Sequence, residues 1–186
     1  TILSIATLVN AFNIIDGLNG LSIGTALFIL VAIFIISIIN LDHNVTQISL
    51  NLFLILIVSF TFNFPNAKIF IGDCGAYLLG FFISTILILM PERNQDFNSF
   101  SSLLLILYPF YELMRTIFRR LKNKDTKIWM PDNMHLHSLL YQYNVKYKMF
   151  SVITANPLST LQVLCLPCFC CVWTVLFYNN LFLLLF

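Results

Sequence analysis

Charge is what this sequence lacks. Of 186 residues only 8 are Asp or Glu and 10 are Lys or Arg, while 59% are hydrophobic. Soluble domains carry about 25% charged residues, so this scarcity excludes a soluble globular chain and leaves an integral membrane protein. Long polar stretches are missing as well. The longest, residues 119–156, is too short to bury a core, which excludes a separate soluble catalytic domain. A net charge of only +2 gives no basic surface for nucleic acid, so no nucleic-acid partner is expected. Cysteine is limited to five residues, Cys74 alone and Cys165, Cys168, Cys170 and Cys171 together. The four have metal-like spacing but sit in an apolar run without His or carboxylate, and read as bilayer-embedded small hydrophobes. Neither Met nor a basic segment opens the chain. Its first residues, TILSIATLV, read as the middle of an apolar helix, so an N-terminal part is expected to be missing.

What is present is a series of apolar runs. A spanning helix needs about 20 apolar residues. Residues 1–13 read as the tail of one span, 21–39 as an uninterrupted one, and 48–62 as a shorter one after a polar loop at 40–47. Residues 76–90 form another, ended by Pro91. The run 100–118 is expected to kink near Pro109, because proline removes a helical hydrogen bond. The last run, 156–186, is interrupted by Pro167. The expected fold class is all-α: a polytopic transmembrane helical bundle of about five to six spans, one membrane domain over 1–186. Crossing parity puts three polar segments, 10–21, 63–75 and 119–156, on one side of the membrane. That side collects Lys68, Arg115, Arg119, Arg120, Lys122, Lys124, Lys127, Lys146 and Lys148, leaving Arg93 alone on the other. Such a bias makes the shared side the cytosol.

The first segment, NAFNIIDGLNGL, supplies Asn13, Asp16 and Asn19, three apart and on one face if helical. Its plain alternative is a helix end closed by Gly17 and Gly20. The second, NFPNAKIFIGDCG, supplies Asn63, Asn66, Lys68 and Asp73, with Gly72 and Gly75 beside the carboxylate. Flanking glycines let backbone approach a phosphate or a metal, and such a carboxylate is a natural Mg²⁺ ligand; the alternative is an Asp N-cap for the span from Ala76. The third, PDNMHLHSLLYQ, supplies His135 and His137 with Asp132 nearby. Residues two apart point away from each other on a strand or a helix, so a paired use needs a bent loop. Beside so many cations the two imidazoles look like phosphate donors rather than zinc ligands, the alternative being solvated loop histidines. The Arg119–Lys127 cations read as topogenic, and Glu112 with Arg115 as an ion pair within a span. Carboxylates, amides, glycines and imidazoles at one membrane edge fit phosphate chemistry on a membrane-bound substrate.

In these residues the chain resembles the polyprenyl-phosphate N-acetylhexosamine-1-phosphate transferases of glycosyltransferase family 4, nearer the WecA-like than the MraY-like branch. NAFNIIDGLNGL is similar to the family's NAxNxxDGxDGL motif, FNFPNAKIFIGDCGAYLLG to FNxxPAKxFMGDxGSxxLG, and PDNMHLHSLL to its HxH loop. The resemblance covers essentially the whole chain. It implies a multi-pass enzyme of the cytoplasmic (inner) membrane with cytosolic active-site loops. The implied reaction moves a sugar-1-phosphate from a UDP-sugar to a polyprenyl phosphate, releasing UMP, with Mg²⁺ or in its place Mn²⁺. By motif position, Asp73 is implied as a metal ligand with Asn13 as a second, and Asp16 as the active-site carboxylate. Asn19, Asn63 and Phe70 are implied around the uridine, and His135 and His137 on the diphosphate. A homodimer is compatible with the resemblance.

Asn19 stands where relatives often have Asp, and Ala76 where they have Ser. The family's upstream acidic pair is absent from these residues, so the chain is expected to be the C-terminal part of a longer enzyme and to work poorly alone. CDP-alcohol phosphotransferases also carry a DG motif, but with an Ala-Arg after it and two further Asp that are not found here. A degenerate transferase relative, or a transporter using Asp16 and Asp73, is the remaining alternative; the uncharged runs 21–39 and 76–90 speak against the transporter.

Overall fold

The computed structural model describes residues 1–122, 134–146 and 152–184. Asp132, Lys124, Lys127 and Lys148 therefore lie outside the described residues. The elements of the described chain are all helices: α1 Ile2–Ile15, α2 Leu21–Ile39, α3 His43–Asn63, α4 Gly72–Arg93, α5 Ser99–Leu105, α6 Leu107–Lys122, α7 Leu136–Lys146, α8 Val152–Phe177 and α9 Leu181–Leu184. Four stretches are long and apolar enough to cross a membrane, Leu21–Ile39, His43–Asn63, Gly72–Arg93 and Thr154–Phe177. The shorter α1 is apolar as well. This is the polytopic helical bundle expected.

The most buried helix is α2, which packs on α3 and α8 and also touches α1 and α4. On its other side α1 packs against α4 and α6. Lipid is as apolar as these side chains, so close fit and backbone approach hold such helices together. Gly80 of α4 shows it: a Cβ there would lie 2.5 Å from Val9 Cα and 2.7 Å from Leu8 O of α1. Any side chain at position 80 forces α4 away from α1.

Prolines shape the bundle differently from the sequence expectation. Pro91 does not end α4, which continues to Arg93. The Leu87 carbonyl that Pro91 cannot bond accepts instead from Ser102 Oγ of α5 at 3.0 Å, so the lost helical bond becomes a link between elements. Pro109, by contrast, follows a full break at Ile106 that divides the expected single span into α5 and α6. Neither Pro157 nor Pro167 interrupts α8, which runs on for 26 residues. Residues 40–47 are shorter as a loop than expected, because Asp42 caps α3 by accepting from Val45 N at 3.3 Å. That same carboxylate takes two bonds from Arg93, Nε at 2.7 Å and Nη2 at 2.9 Å, which hold its carboxyl below the usual range. Arg93 thus closes the end of the bundle opposite to Asp16 and Asp73. Lastly, the polar segment 119–156 contains a helix, α7, packed on α8. It was not expected.

Candidate functional site

The described parts of the three polar segments meet at one end of the bundle. α1 stops at Ile15, where the Asp16 amide turns back to Asn13 O at 3.3 Å, and α2 starts behind Gly20 at φ +75°, a backbone that favours glycine. Asn13 is therefore in the last turn of α1 and Asp73 in the first turn of α4. Asn13 Nδ2 donates to Asp73 Oδ1 at 3.0 Å. A partly exposed side-chain bond is worth about 1 kcal/mol. That is too little to position two spanning helices, so the close packing at Gly80 sets the distance and the bond reports it.

Because its nitrogen faces Asp73, Asn13 keeps its own carbonyl oxygen available. Asp16 lies one helical turn further along. Burial, and then the negative charge of Asp73, push its carboxyl up to about 6. The donors gathered here are two carboxylates and an amide oxygen, a hard set suited to Mg²⁺, which keeps water and substrate oxygens in its remaining positions. Among the described residues no three His, Cys, Asp or Glu form a metal-holding group. The residues present thus fit a shared Mg²⁺ rather than a fully protein-enclosed ion.

A carboxyl titrating at about 6 when folded and 3.8 otherwise makes the fold weaker as pH rises between those values. The penalty is absent below 3.8 and complete above 6, where both states are ionised. Asp16→Asn is therefore expected to raise the melting temperature in detergent at pH 7.5 and to leave it unchanged near pH 3.5.

The amides of the first two segments hold the loops together. Asn63 is 4% exposed, accepts from Gly20 N and donates through Nδ2 to Ile69 O at 2.7 Å. Asn19 donates through Nδ2 to Pro65 O at 2.9 Å, while its backbone N–H goes to Asn156 Oδ1 at 3.0 Å and its carbonyl accepts from Thr160 Oγ1 at 2.8 Å. Segments 10–21 and 63–75 are thereby stitched to one another and to α8. Asn156 and Thr160 are not legible from the sequence, since an amide and a hydroxyl in an apolar helix carry no motif. Phe70 is 67% exposed beside the site, and Asn66 and Lys68 are exposed.

His135 and His137 are buried, not solvated: 9% and 2% exposed. His135 precedes α7 and His137 sits in its first turn, so the chain bends between them. Their rings consequently lie parallel, 5.4 Å apart with 1° between planes, instead of pointing away from each other. Burial, and then His135, push His137 down to about 4, so it is neutral at pH 7. His137 packs over Gly17, where a Cβ would lie 2.5 Å from Nε2. Its Nδ1 is 3.5 Å from the hydroxyl of buried Tyr108. The expected pair of Glu112 with Arg115 does not form. Glu112 is fully buried and its carboxylate accepts instead from His135 Nδ1 at 3.1 Å and from Leu136 N at 2.9 Å. Sequence spacing favoured the nearer cation, while the fold brings a third segment across.

Beside Asn13 a groove of about 470 Å³ runs between α1 and α6. Leu3, Ala6 and Leu113 line its apolar part, and Asn10, Asn13 and Arg120 the end at the site. Through Asn13 the groove borders Asp73.

Residues 1–91, which carry both the Asp16 and the Asp73 segments, match the family described as Glycosyl transferase family 4. Over these residues the chain carries the pattern of glycosyl transferase family 4. It is 30% identical over 148 residues to the undecaprenyl-phosphate alpha-N-acetylglucosaminyl 1-phosphate transferase of Thermotoga maritima, covering 80% of this chain and 44% of that protein. Against the protein of the same name from Escherichia coli K12 it is 27% identical over 148 residues, 75% of this chain and 39% of the relative. The chain thus spans less than half the length of these relatives. No solved structure matches it.

Proposed function

We propose that the end of the bundle holding Asn13, Asp16 and Asp73 is the phosphoryl-transfer site of an enzyme that moves a sugar-1-phosphate, N-acetylglucosamine-1-phosphate above all, from its UDP-sugar to a polyprenyl phosphate. The observation that carries this is the Asn13–Asp73 bond, which joins two family motifs 60 residues apart in one acidic site. Names of the related proteins support the donor sugar and the lipid acceptor.

In this reading the lipid lies in the α1–α6 groove, with its phosphate at the Arg120 end. A phosphate oxygen of the lipid forms the new bond to the sugar-bearing phosphorus, and the bond from that phosphorus to the UMP oxygen breaks. Asp73, with the Asn13 oxygen, would hold Mg²⁺, which neutralises the diphosphate and eases departure of UMP. Asp16 titrates near the second ionisation of a phosphate monoester, about 6, and so can take the lipid phosphate's proton. The bends at 15–20 and 63–71, tied by Asn19 and Asn63, shape the uridine side, with Phe70 as an exposed ring to stack on it. His135 faces the diphosphate. The gathering of six described basic residues, Lys68, Arg115, Arg119, Arg120, Lys122 and Lys146, in the elements around this end supports a cytosolic orientation in a bacterial cytoplasmic membrane.

The intact protein in detergent, given UDP-N-acetylglucosamine and undecaprenyl phosphate, is expected to release UMP in step with lipid-linked product. EDTA should abolish release and Mg²⁺ restore it. UMP release unaffected by EDTA, or absent with every UDP-sugar tried, would contradict the proposal.

A further inference from the structure

A fully buried carboxylate is expensive unless its charge is answered by partners. Glu112 is fully buried in α6 and both its oxygens accept from the segment that bears the two histidines. One bond fixes the first ring, through His135 Nδ1; the other fixes the backbone where α7 begins, through Leu136 N. Position 112 therefore does more than fill space in the helix.

Resting on the phosphoryl-transfer reading above, we propose that Glu112 is a positioning residue for this site. It holds the proton of His135 on Nδ1 and the ring in place, so that Nε2 is the nitrogen presented to a diphosphate ligand. The geometry gives three supports. The bend at His135 is anchored by the same carboxylate that grips its ring, so backbone and side chain are set together. The His137 ring lies parallel to that of His135 and packs over Gly17, so the fixed ring is registered against the loop that carries Asp16. Tyr108, one turn before Glu112 on α6, stands by His137 Nδ1, so α6 backs both rings. An ordinary packing residue at 112 would supply none of this registration. A carboxylate that orients an imidazole from behind is the arrangement by which buried second groups commonly fix a histidine tautomer.

The chain has only three histidines, so ¹⁵N-histidine labelling of the intact protein gives a spectrum that single His substitutions assign completely. The wild-type protein is expected to carry the His135 proton on Nδ1, and addition of UDP with Mg²⁺ to shift His135 Nε2. In Glu112→Gln the tautomer should become mixed and KM for the UDP-sugar should rise at least tenfold, with kcat changed less than threefold. In a His135→Ala background the same substitution should raise KM no further. A wild-type His135 protonated on Nε2 overturns the proposal without any variant having to fold. So does a Glu112→Gln protein with the wild-type tautomer, or one that loses as much in the His135→Ala background. If UDP shifts neither ring while the tautomer still depends on Glu112, the diphosphate assignment fails and the positioning geometry survives; if UDP shifts the ring irrespective of Glu112, the positioning fails and the site reading survives.

Discussion

Asp73→Asn is expected to lower transfer by on the order of a thousandfold while leaving the fold almost untouched. The asparagine is isosteric, so its oxygen can still accept the bond from Asn13 Nδ2 now made at 3.0 Å. What disappears is the negative charge of an exposed carboxylate in the first turn of α4. Losing a charge that holds a divalent ion, or that shapes the field around a developing charge, costs about 3–4 kcal/mol of transition-state stabilisation, which is two to three powers of ten in rate. Helix packing at Gly80 does not involve this charge, so membrane insertion and melting temperature should stay within a few degrees of wild type. A second readout follows from electrostatics. Asp73 is the charge that helps push Asp16 up to about 6, so the variant's Asp16 should titrate lower. Assaying UMP release beside a pH titration separates these consequences, and turnover within threefold of wild type would sink the assignment of Asp73.

Gly17→Ala is expected to lower transfer about a hundredfold through a single methyl group. Its Cβ would stand 2.5 Å from His137 Nε2, closer than real contacts allow, and a tight 3.1 Å from Cδ2. The imidazole cannot easily yield, being 2% exposed and parallel to His135. Either the 15–20 loop moves away from α7, carrying Asp16 with it, or α7 moves and takes both histidines out of register. Overpacking of this kind costs about 1–3 kcal/mol of stability, so the variant should still fold. Displacements of about 1 Å commonly cost a hundredfold in rate, which is the source of the activity loss. The check is a double-mutant cycle with His137→Ala. With the ring gone, the extra methyl should cost almost no further stability, whereas additive losses would show that the two segments do not meet here.

Much of the architecture was legible because membrane insertion imposes a simple code. The run 21–39 coincides with α2 Leu21–Ile39, since no charged residue interrupts it and Gly20 precedes it. Prolines were less legible. Their effect depends on whether a neighbour can answer the freed carbonyl, as Ser102 does for Leu87, and no local pattern announces that. The Asn13–Asp73 pairing was within reach of the sequence through parity and motif, because both residues mark helix ends on one side. Glu112 was not. Its nearest opposite charge in sequence is Arg115, three positions away, and only the fold of 134–146 against α6 brings His135 to it. The same holds for Asn156 and Thr160, whose partner Asn19 lies more than 130 positions earlier. Long-range polar contacts between loops follow from packing, and helical periodicity does not encode them.

We propose that α1 and α4 bring Asn13 and Asp73 together as a divalent-cation site at the end of the bundle, with Asp16 beside them as the proton acceptor. Mn²⁺ binding to the intact protein, followed by electron paramagnetic resonance in the presence of UDP, tests it most directly. Wild type is expected to saturate with one ion, and Asp73→Asn to bind it at least thirtyfold more weakly at an unchanged melting temperature. Equal Mn²⁺ affinity in the two proteins would contradict the account.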